Sequence, residues 1–188
     1  MTAQPKHRMT VDEFIPWAMA QPSGRYELVG GEVFAMAPER ARHNLVKLAA
    51  ARSLQDAVRR AGLDCTVFTD GMTVRIDAWT AREPDASLQC GIKIDLDSLI
   101  LEAPLLVVEV VSPSSGRDDT GAKVAEYFSV PSIRHYLILD PVKPVVIHHC
   151  RDAAGAIHTT IHTAGVLLID PPGLELTVED VIGPVARA

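Results

Sequence analysis

One apolar segment that contains a carboxylate, Leu105–Val111, places the strongest constraint on the fold. In a strand the side chains alternate between two faces, so Glu109 shares its face with Val107 and Val111. The residues between them are also apolar, which gives the strand two apolar faces. Such a strand belongs in the interior of a sheet that is covered on both sides. The segment therefore predicts a central strand in a sheet flanked by helices.

The position of Glu109 predicts a positive partner. A carboxylate in a central strand is poorly solvated, and a buried, unpaired carboxylate either costs several kcal/mol or shifts its pKa until it is neutral. We therefore expect a cation beside Glu109, either a metal ion or a lysine. A second carboxylate, Asp85, lies in the turn-like segment Arg82-Glu83-Pro84-Asp85.

The length and composition predict one globular domain over residues 1–188, since 47% of the 188 residues are hydrophobic and 22% are charged. No apolar run approaches the roughly 18 residues of a membrane span. The N-terminus lacks the apolar centre of a signal peptide. We therefore expect a cytoplasmic protein without a membrane partner.

The three cysteines predict no covalent framework. Cys65, Cys90 and Cys150 are odd in number, widely spaced and never arranged as C-x-x-C. That pattern argues against a disulfide framework or a structural zinc knuckle. We expect all three to be small core or surface residues.

The first third of the chain predicts a helix, a hairpin and a longer helix. Thr10 and Glu13 make a capping-box pattern at the start of a short helix. The Gly30-Gly31 pair between two strand-like segments predicts a two-residue hairpin turn. Residues 41–61 follow the helical period and end at Gly62. The apolar stripe of that helix is predicted as Leu45, Leu48, Ala49, Leu54, Ala57 and Val58.

The remainder predicts strands interrupted by one long helix. A turn over residues 112–116 caps that helix, which is predicted over 117–129. A last helical turn is expected at 178–182. The segment 66–76 is a strand or a hairpin around Asp70-Gly71. The other predicted strands are 83–88, 105–111, 135–139, 145–150 and 157–162.

These elements give an α/β (α+β) fold class with a mixed central β-sheet and the core order α-β-β-β-α-β. The N-terminal helix and hairpin span about 10–36, the core about 38–151, and C-terminal strands with a tail 152–188. Several motifs occur along this order. They are Tyr26–Glu32, Pro84-Asp85, Val107–Ser114, Asp118 with Lys123 and Tyr127, and Tyr136–Pro141.

With these motifs in this order, residues 26–151 resemble the Uma-type family of restriction endonucleases, within the PD-(D/E)XK nuclease superfamily. The resemblance implies a restriction-endonuclease-like core and a metal-dependent endonuclease that hydrolyses phosphodiester bonds in DNA. It also implies Mg²⁺ as the cofactor, with Mn²⁺ as a substitute. Mg²⁺ held by one or two carboxylates can stabilise charge on the phosphate and promote deprotonation of water.

The resemblance assigns candidate roles to individual residues. Asp85 and Glu109 are the expected metal ligands, and the backbone carbonyl of Val110 is the expected third. The superfamily pattern places a lysine where this chain has Val111, and Lys123 is the expected substitute. Its role is to orient the attacking water or to stabilise the transition state. Glu27 on the first hairpin is a further candidate catalytic carboxylate.

The net charge of −6 counts against nucleic-acid binding, which usually requires a basic surface. The best local candidate is the segment Arg40–Arg60, whose charged residues are all basic except Asp56. Its alternative interpretation is an ordinary solvated helix face. His43 can contact phosphate through the helix N-terminus, or it can be simply a polar residue there. The candidate DNA contacts are Arg40, Arg42, His43 and Lys47.

Each catalytic candidate also has a structural interpretation. Asp85 can cap a Pro-Asp turn, and Glu27 can face solvent. Glu109 and Lys123 can form a structural ion pair, and Lys123 with Tyr127 can be an ordinary surface pair. The strand histidines His148, His149, His158 and His162 could form a zinc site with Cys150. Because adjacent His148 and His149 point to opposite faces, exposed strand histidines are favoured.

Two other functions remain open alongside the endonuclease. The fold could serve as a catalytically inactive interaction or regulatory module, as the acidic balance and Val111 suggest. A metal-dependent hydrolase of another substrate is also compatible with such a site, because function resides in the site and not in the fold. For the endonuclease, a homodimer is expected, since two-fold dimers are the commonest homo-oligomers.

Overall fold

A computed structural model describes residues 7–111 and 117–183, without the side chains of residues 117–120. The predicted cap over 112–116 and the side chain of Asp118 lie outside the described residues. Four helices are present in the described part of the chain. They are α1 (Val11–Met19), α2 (Ala41–Ala61), α3 (Arg117–Ser129) and α4 (Val178–Ile182).

Six strands form the central sheet in the order β10-β9-β8-β7-β6-β3. Strands β7 and β8 are parallel and the other neighbours antiparallel, so the sheet is mixed, as predicted. The six strands are β3 (Cys65–Thr69), β6 (Ala86–Cys90), β7 (Pro104–Val110), β8 (His135–Asp140), β9 (Val145–Arg151) and β10 (Ile157–His162).

Two smaller sheets accompany the central sheet. A four-stranded sheet has the order β2-β1-β5-β4, and a hairpin pairs β11 with β12. Their strands are β1 (Tyr26–Val29), β2 (Glu32–Ala35), β4 (Val74–Arg75), β5 (Ala81–Arg82), β11 (Val166–Ile169) and β12 (Leu174–Thr177). The sequence did not predict β5, β11 or β12.

Local signals account for most of the element boundaries. The Thr10 side chain caps α1 and the Glu13 carboxylate accepts the Thr10 N–H at 2.8 Å, which confirms the capping box. Gly30 and Gly31 have φ angles of 56° and 85° in the turn between β1 and β2, which confirms the hairpin. Gly62 ends α2 in the left-handed conformation, as predicted.

The central position of β7 is confirmed. Leu106, Val108 and Val110 pack with α2, α4 and the β11–β12 hairpin on one face of the sheet. On the other face, Val107 packs with aromatic residues of α3 and β8. The core order α2-β3-β6-β7-α3-β8 reproduces the predicted α-β-β-β-α-β arrangement.

The predicted apolar stripe of α2 is partly wrong. Leu45 and Leu48 are 44% and 48% exposed, whereas Val46 and Ala50 are buried. Contact with the sheet determines which face of α2 is buried. In the first half of the helix this face is offset by about one residue from the predicted apolar stripe. The phase of this helix therefore depends on tertiary packing.

Two further predictions need correction. β3 and β4 do not form a hairpin, because β3 pairs with β6 and β4 pairs with β5. Cys65 and Cys90 are not free residues, because they lie opposite each other in the β3–β6 register and form a disulfide. Cys150 remains a free thiol. Among the described helices, none has the length and apolarity to span a bilayer.

A large-to-small change in the central strand is expected to destabilise the protein strongly. Leu106 is fully buried in β7, so Leu106→Ala should lower the free energy of unfolding by about 2–5 kcal/mol through lost burial and a residual cavity. Urea denaturation measures this change. The control Leu168→Ala, at a position 58% exposed on β11, should change it by less than about 0.5 kcal/mol. Equal effects would contradict the assigned core.

Candidate active site

A cleft of about 610 Å³ opens where β7 ends and α2 begins. It is lined by residues from the first hairpin, the β5–β6 turn, β7, α2 and α3. The candidate residues on its walls are Glu27, Arg40, Arg42, His43, Asp85, Glu109, Val110 and Lys123. The fold therefore brings together every predicted site residue except Lys47, which is buried outside the cleft lining with its ammonium group 3.5 Å from Asp85.

Strand register brings the two central carboxylates together. Ala86 of β6 is opposite Val108 of β7, and the Asp85 N–H donates to the Val108 carbonyl at 3.0 Å. Asp85 is consequently placed beside the end of β7, where Glu109 and Val110 lie. The helix α3 follows β7 and brings Lys123 back over that end.

Asp85 is held as an anion. Its Oδ2 accepts the Val110 N–H at 2.7 Å, His43 Nε2 lies 3.3 Å from the carboxylate, and Lys47 Nζ is 3.5 Å away. Burial acts to raise the pKa of Asp85, but these three groups together hold it below its usual value. Asp85 is buried, and the backbone N–H that it accepts belongs to Val110 of the neighbouring strand.

Glu109 is held between a cation and a hydroxyl group. Lys123 Nζ donates to its Oε2 at 2.9 Å, and the Tyr127 O–H donates to its Oε1 at 2.6 Å. Burial raises the pKa of Glu109 to about 7; Lys123 opposes this shift, while the charges of Asp85 and Glu27 add to it. An additional positive charge near these carboxylates would favour the ionised form.

Glu27 is neither solvent-facing nor available at both oxygens. The Arg82 guanidinium donates to its Oε2 at 3.0 Å, and the Glu83 N–H donates to its Oε1 at 3.1 Å. Arg82 is itself buried and also binds Glu126 of α3. The expected solvent-facing alternative is therefore wrong, and Glu27 is tied through Arg82 to the helix that carries Lys123.

Lys47 does not extend the predicted basic surface. Its side chain is buried, and its ammonium group donates to Glu39 and to Asp70, the latter at 2.7 Å. Arg59, at the far end of α2, pairs with Asp56. Among the described residues that line the cleft, the exposed basic ones are Arg40 and Arg42 at the start of α2, so Lys47 drops out of the basic surface expected from the sequence.

Two residues of the cleft region were not predicted as site residues. Tyr127 is fully buried with its hydroxyl group on Glu109, so the proposed surface pair with Lys123 is wrong. Glu39 lies with His43 and Asp85 so that their ligand atoms are all within 4.8 Å of one another. For Tyr127 the sequence held a signal, because Tyr127 and Lys123 are four residues apart on one helical face. For Glu39 it held none.

The donor set suits a hard divalent cation. Mg²⁺ and Mn²⁺ prefer carboxylate and carbonyl oxygens, and the end of β7 offers Asp85, Glu109 and the Val110 backbone. Glu39 and His43 give a second way to complete a site that includes Asp85. Burial is the main cause of the raised pKa of Glu109, and the neighbouring charge of Asp85 adds to it, so a bound cation would favour the ionised carboxylate.

The Glu109 pKa predicts a pH-dependent stability of the metal-free protein. The folded value of about 7 exceeds the ordinary 4.5, so the folded state retains a proton that the unfolded state has lost between these values. Stability from this group therefore falls as pH rises across that window. Urea denaturation in EDTA measures the difference in stability between Glu109→Gln and the unsubstituted protein. This difference should shift in favour of Glu109→Gln as the pH rises from 4.5 to about 7. A constant difference would contradict the raised pKa.

The strand histidines are not all exposed, which corrects the favoured prediction. His148 is buried on β9, and its Nε2 lies 2.9 Å from Nδ1 of the buried His135 on β8. His149 points to the opposite face and stacks on Tyr136. His158 is exposed, as expected.

Known proteins provide three points of comparison. A family model, Uma2, described as "Putative restriction endonuclease", matches residues 11–181. The uncharacterized protein slr1290 of Synechocystis is 22% identical over 177 residues, covering 93% of this chain and 92% of that protein. A crystal structure of a "putative nuclease belonging to DUF820" from Anabaena variabilis superposes with a TM-score of 0.74 at 15% identity, covering 93% of this chain and 97% of that one.

At that identity the solved structure establishes the fold, a mixed central sheet with few helices shared with a nuclease-like protein. The family match spans most of the chain and runs from α1 to α4, so it includes every residue of the cleft. The chain therefore belongs to the Uma2 family, the family described as "Putative restriction endonuclease".

Proposed function

We propose that this protein is a Mg²⁺-dependent endonuclease that hydrolyses phosphodiester bonds in DNA, with Mn²⁺ able to replace Mg²⁺. The observation that carries the proposal is Glu109, a largely buried carboxylate of the central strand that lines the cleft together with Asp85. A chain gains no stability from placing two carboxylates together in a poorly solvated site. A catalytic requirement for a cation accounts for their placement together.

Asp85, Glu109 and the Val110 carbonyl are the proposed ligands of the ion. When bound, the ion stabilises negative charge on the phosphate and lowers the pKa of water. The Val110 N–H orients Asp85, and the Tyr127 hydroxyl orients Glu109. Buried hydrogen bonds of this kind hold ligands in one conformation before the ion arrives.

Lys123 is proposed to act on the reacting groups. It extends from α3 to the Glu109 carboxylate at 2.9 Å and also lines the cleft. An ammonium group there can orient a water molecule or stabilise the charge that develops on the phosphate. Arg82 is proposed to position it, since it links Glu27 to Glu126 of the same helix.

The start of α2 is proposed to bind the DNA backbone. Arg40 and Arg42 are exposed on the cleft wall, and α2 has neither a side-chain cap nor an acidic residue in its first turn. By contrast, α1 carries Asp12 and Glu13 in its first turn. Uncapped N–H groups with nearby arginines attract phosphate, which offsets locally the net charge of −6.

Removing one arginine should weaken DNA binding in a salt-dependent manner. For metal-free protein in EDTA, Arg42→Ala should reduce the slope of log K against log salt by about 1, because one phosphate contact is lost. Fluorescence anisotropy with a duplex at several salt concentrations measures this slope. Arg59→Ala on the far end of the same helix is the control, since Arg59 pairs with Asp56. Equal slopes for both variants would contradict this interface.

Cleavage assays test the proposed function directly. Supercoiled plasmid, linear duplex, single-stranded DNA and RNA are each incubated with Mg²⁺, Mn²⁺ or EDTA. Metal-dependent nicking or linearisation of plasmid is the expected result, with no cleavage in EDTA. Cleavage of RNA alone would redirect the assignment to a ribonuclease, and hydrolysis of none of the four would contradict it. Light scattering tests the homodimer, which we propose on symmetry grounds only.

One observation favours a second function, a catalytically inactive interaction or regulatory module. Glu109 has Lys123 and Tyr127 as partners, and Asp85 has His43 and Lys47, so each carboxylate already has partial compensation. Isothermal titration calorimetry distinguishes the two functions. Uptake of Mn²⁺ that is lost in Asp85→Asn supports the nuclease, and no uptake supports the inactive module.

A further inference from the structure

A second group of metal-ligating side chains lies away from the cleft. His135 at the start of β8 is opposite Cys150 of β9, and His148 lies two residues before Cys150 on the same face. The three ligand atoms are all within 4.8 Å of one another. This face of the sheet packs toward the β11–β12 hairpin. Glu109 lies opposite Ile138, which is three residues after His135 on β8. The Ile138 side chain packs on the other face of the sheet, in the core formed with α3.

The backbone fixes the tautomer of His135. Its Nε2 lies 2.8 Å from the carbonyl oxygen of Pro171, and a carbonyl can only accept, so Nε2 carries the proton. In neutral His135 the free lone pair is then on Nδ1, which faces His148 Nε2 at 2.9 Å. A histidine that donates one N–H to a carbonyl and presents the other nitrogen is the usual arrangement of a metal ligand.

The charge state of the two histidines also suits a ligand. Burial lowers the pKa of both, that of His148 to about 4, so both are neutral near pH 7. Neutral imidazole is the form that binds metal. Cys150 is a free thiol that is half-buried on the same face, and bound metal displaces the thiol proton.

We propose that His135, His148 and Cys150 form a binding site for a thiophilic divalent cation, with Zn²⁺ the best match. Two imidazoles and one thiolate are a borderline-soft donor set that disfavours Mg²⁺ and suits tetrahedral zinc. Two nitrogens and one sulfur around tetrahedral zinc lie about 3.3–3.6 Å apart, as the bond lengths require. The two imidazole nitrogens, at 2.9 Å, would have to separate slightly, and the other donor pairs lie within 4.8 Å. The site is independent of the proposed nuclease centre.

Neighbouring groups can supply the fourth ligand and the second shell. His162 of β10 shares this face, and its ring centre is 6.3 Å from that of His148. Asp170 lies next to Pro171, and its negative charge acts on both His135 and Cys150. In His135 this charge opposes the lowering of the pKa by burial, and in Cys150 it adds to the raising of the pKa by burial. A water molecule is the third candidate. Any one of His162, Asp170 or water would complete a tetrahedral site as the fourth ligand.

Metal titration of the full chain tests the proposal. Protein stripped with chelator and kept reduced is titrated with Zn²⁺ against a chromophoric competitor, and separately with Co²⁺ as an optical probe. One equivalent of Zn²⁺ and a thiolate-to-Co²⁺ charge-transfer band are expected. Cys150→Ser and His148→Gln should each weaken Zn²⁺ binding by at least about 100-fold, more than second-shell losses do. Cys150→Ser also removes the band.

Two control variants localise the bound Zn²⁺ to these three residues. His149→Gln changes the adjacent residue on the opposite face and should leave Zn²⁺ affinity unchanged. Glu109→Gln should also leave it unchanged, which keeps the result independent of the nuclease assignment. Circular dichroism checks the fold of each variant. If His148→Gln does not fold, the test rests on Cys150→Ser, because Cys150 is only half-buried. Zn²⁺ affinity equal in the unsubstituted protein and Cys150→Ser would overturn the proposal, leaving a hydrogen-bonded histidine pair.

Discussion

Replacing Glu109 with glutamine is expected to reduce Mg²⁺-dependent plasmid cleavage by about 1,000-fold or more. The change removes a negative charge from the proposed ion site and from the group that faces Lys123. Losses of this size are typical when a group that stabilises the transition state electrostatically is removed. Plasmid nicking rates over a range of Mg²⁺ concentrations measure the effect.

The fold should survive this substitution. Glutamine has the shape of glutamate, and its amide oxygen can still accept the Tyr127 hydroxyl. Glu175→Gln, at an exposed position on β12, is the matched control and should keep full activity. If Glu109→Gln cleaves plasmid as fast as this control, Glu109 is a structural residue and the proposed mechanism is wrong.

Replacing Asp85 with asparagine is expected to reduce cleavage by a similar factor, for a different reason. Asparagine can still accept the Val110 N–H that Asp85 accepts at 2.7 Å, so its position should be retained. Lys47 keeps Glu39 and Asp70 as partners, so no buried ammonium group is left without compensation. What is lost is the negative charge that would hold the divalent ion.

The metal dependence separates a ligand from a positioning residue at Asp85. For a ligand, Asp85→Asn should require much more Mg²⁺ for half-maximal activity and lose Mn²⁺ uptake by calorimetry. Asp12→Asn is the control, since Asp12 is exposed and pairs with Arg75 away from the cleft. Unchanged Mn²⁺ uptake in Asp85→Asn would exclude Asp85 as a ligand.

The central strand was predictable because it follows from local pattern. An apolar segment of strand length with two apolar faces defines β7, and a single charge in it identifies Glu109. The helix that follows β7 had to return across its end, which brings Lys123 to Glu109. Periodicity identified β7 and its unusual charge, whereas the pairing of Glu109 with Asp85 and Lys123 as candidate site residues came from the resemblance to the family.

The charge network around that centre was not predictable from the sequence. Lys47 belongs to a basic segment by sequence, yet it is buried against Asp70 and Glu39 because the buried face of α2 includes its position. Arg82 of β5 joins Glu27 of β1, in the same sheet, to Glu126 of α3. Such pairs depend on the relative placement of distant elements, which residue spacing does not encode.

Cross-strand register explains the errors at Cys65 and His148. Spacing along the chain placed Cys65 and Cys90 far apart, whereas pairing of β3 with β6 sets them opposite each other. The prediction of an exposed His148 required a strand with a solvated face. The β11–β12 hairpin, which the sequence did not predict, packs over the face that His148 shares.

A crystal of the protein soaked in Mn²⁺ tests the central claim most directly. Anomalous scattering locates manganese independently of any assay of activity. The account predicts a manganese peak in the cleft in contact with both Asp85 and Glu109, with the Lys123 ammonium group nearby. A cleft without manganese, and Glu109 still hydrogen-bonded to Lys123 and Tyr127 at high Mn²⁺ concentration, would contradict it.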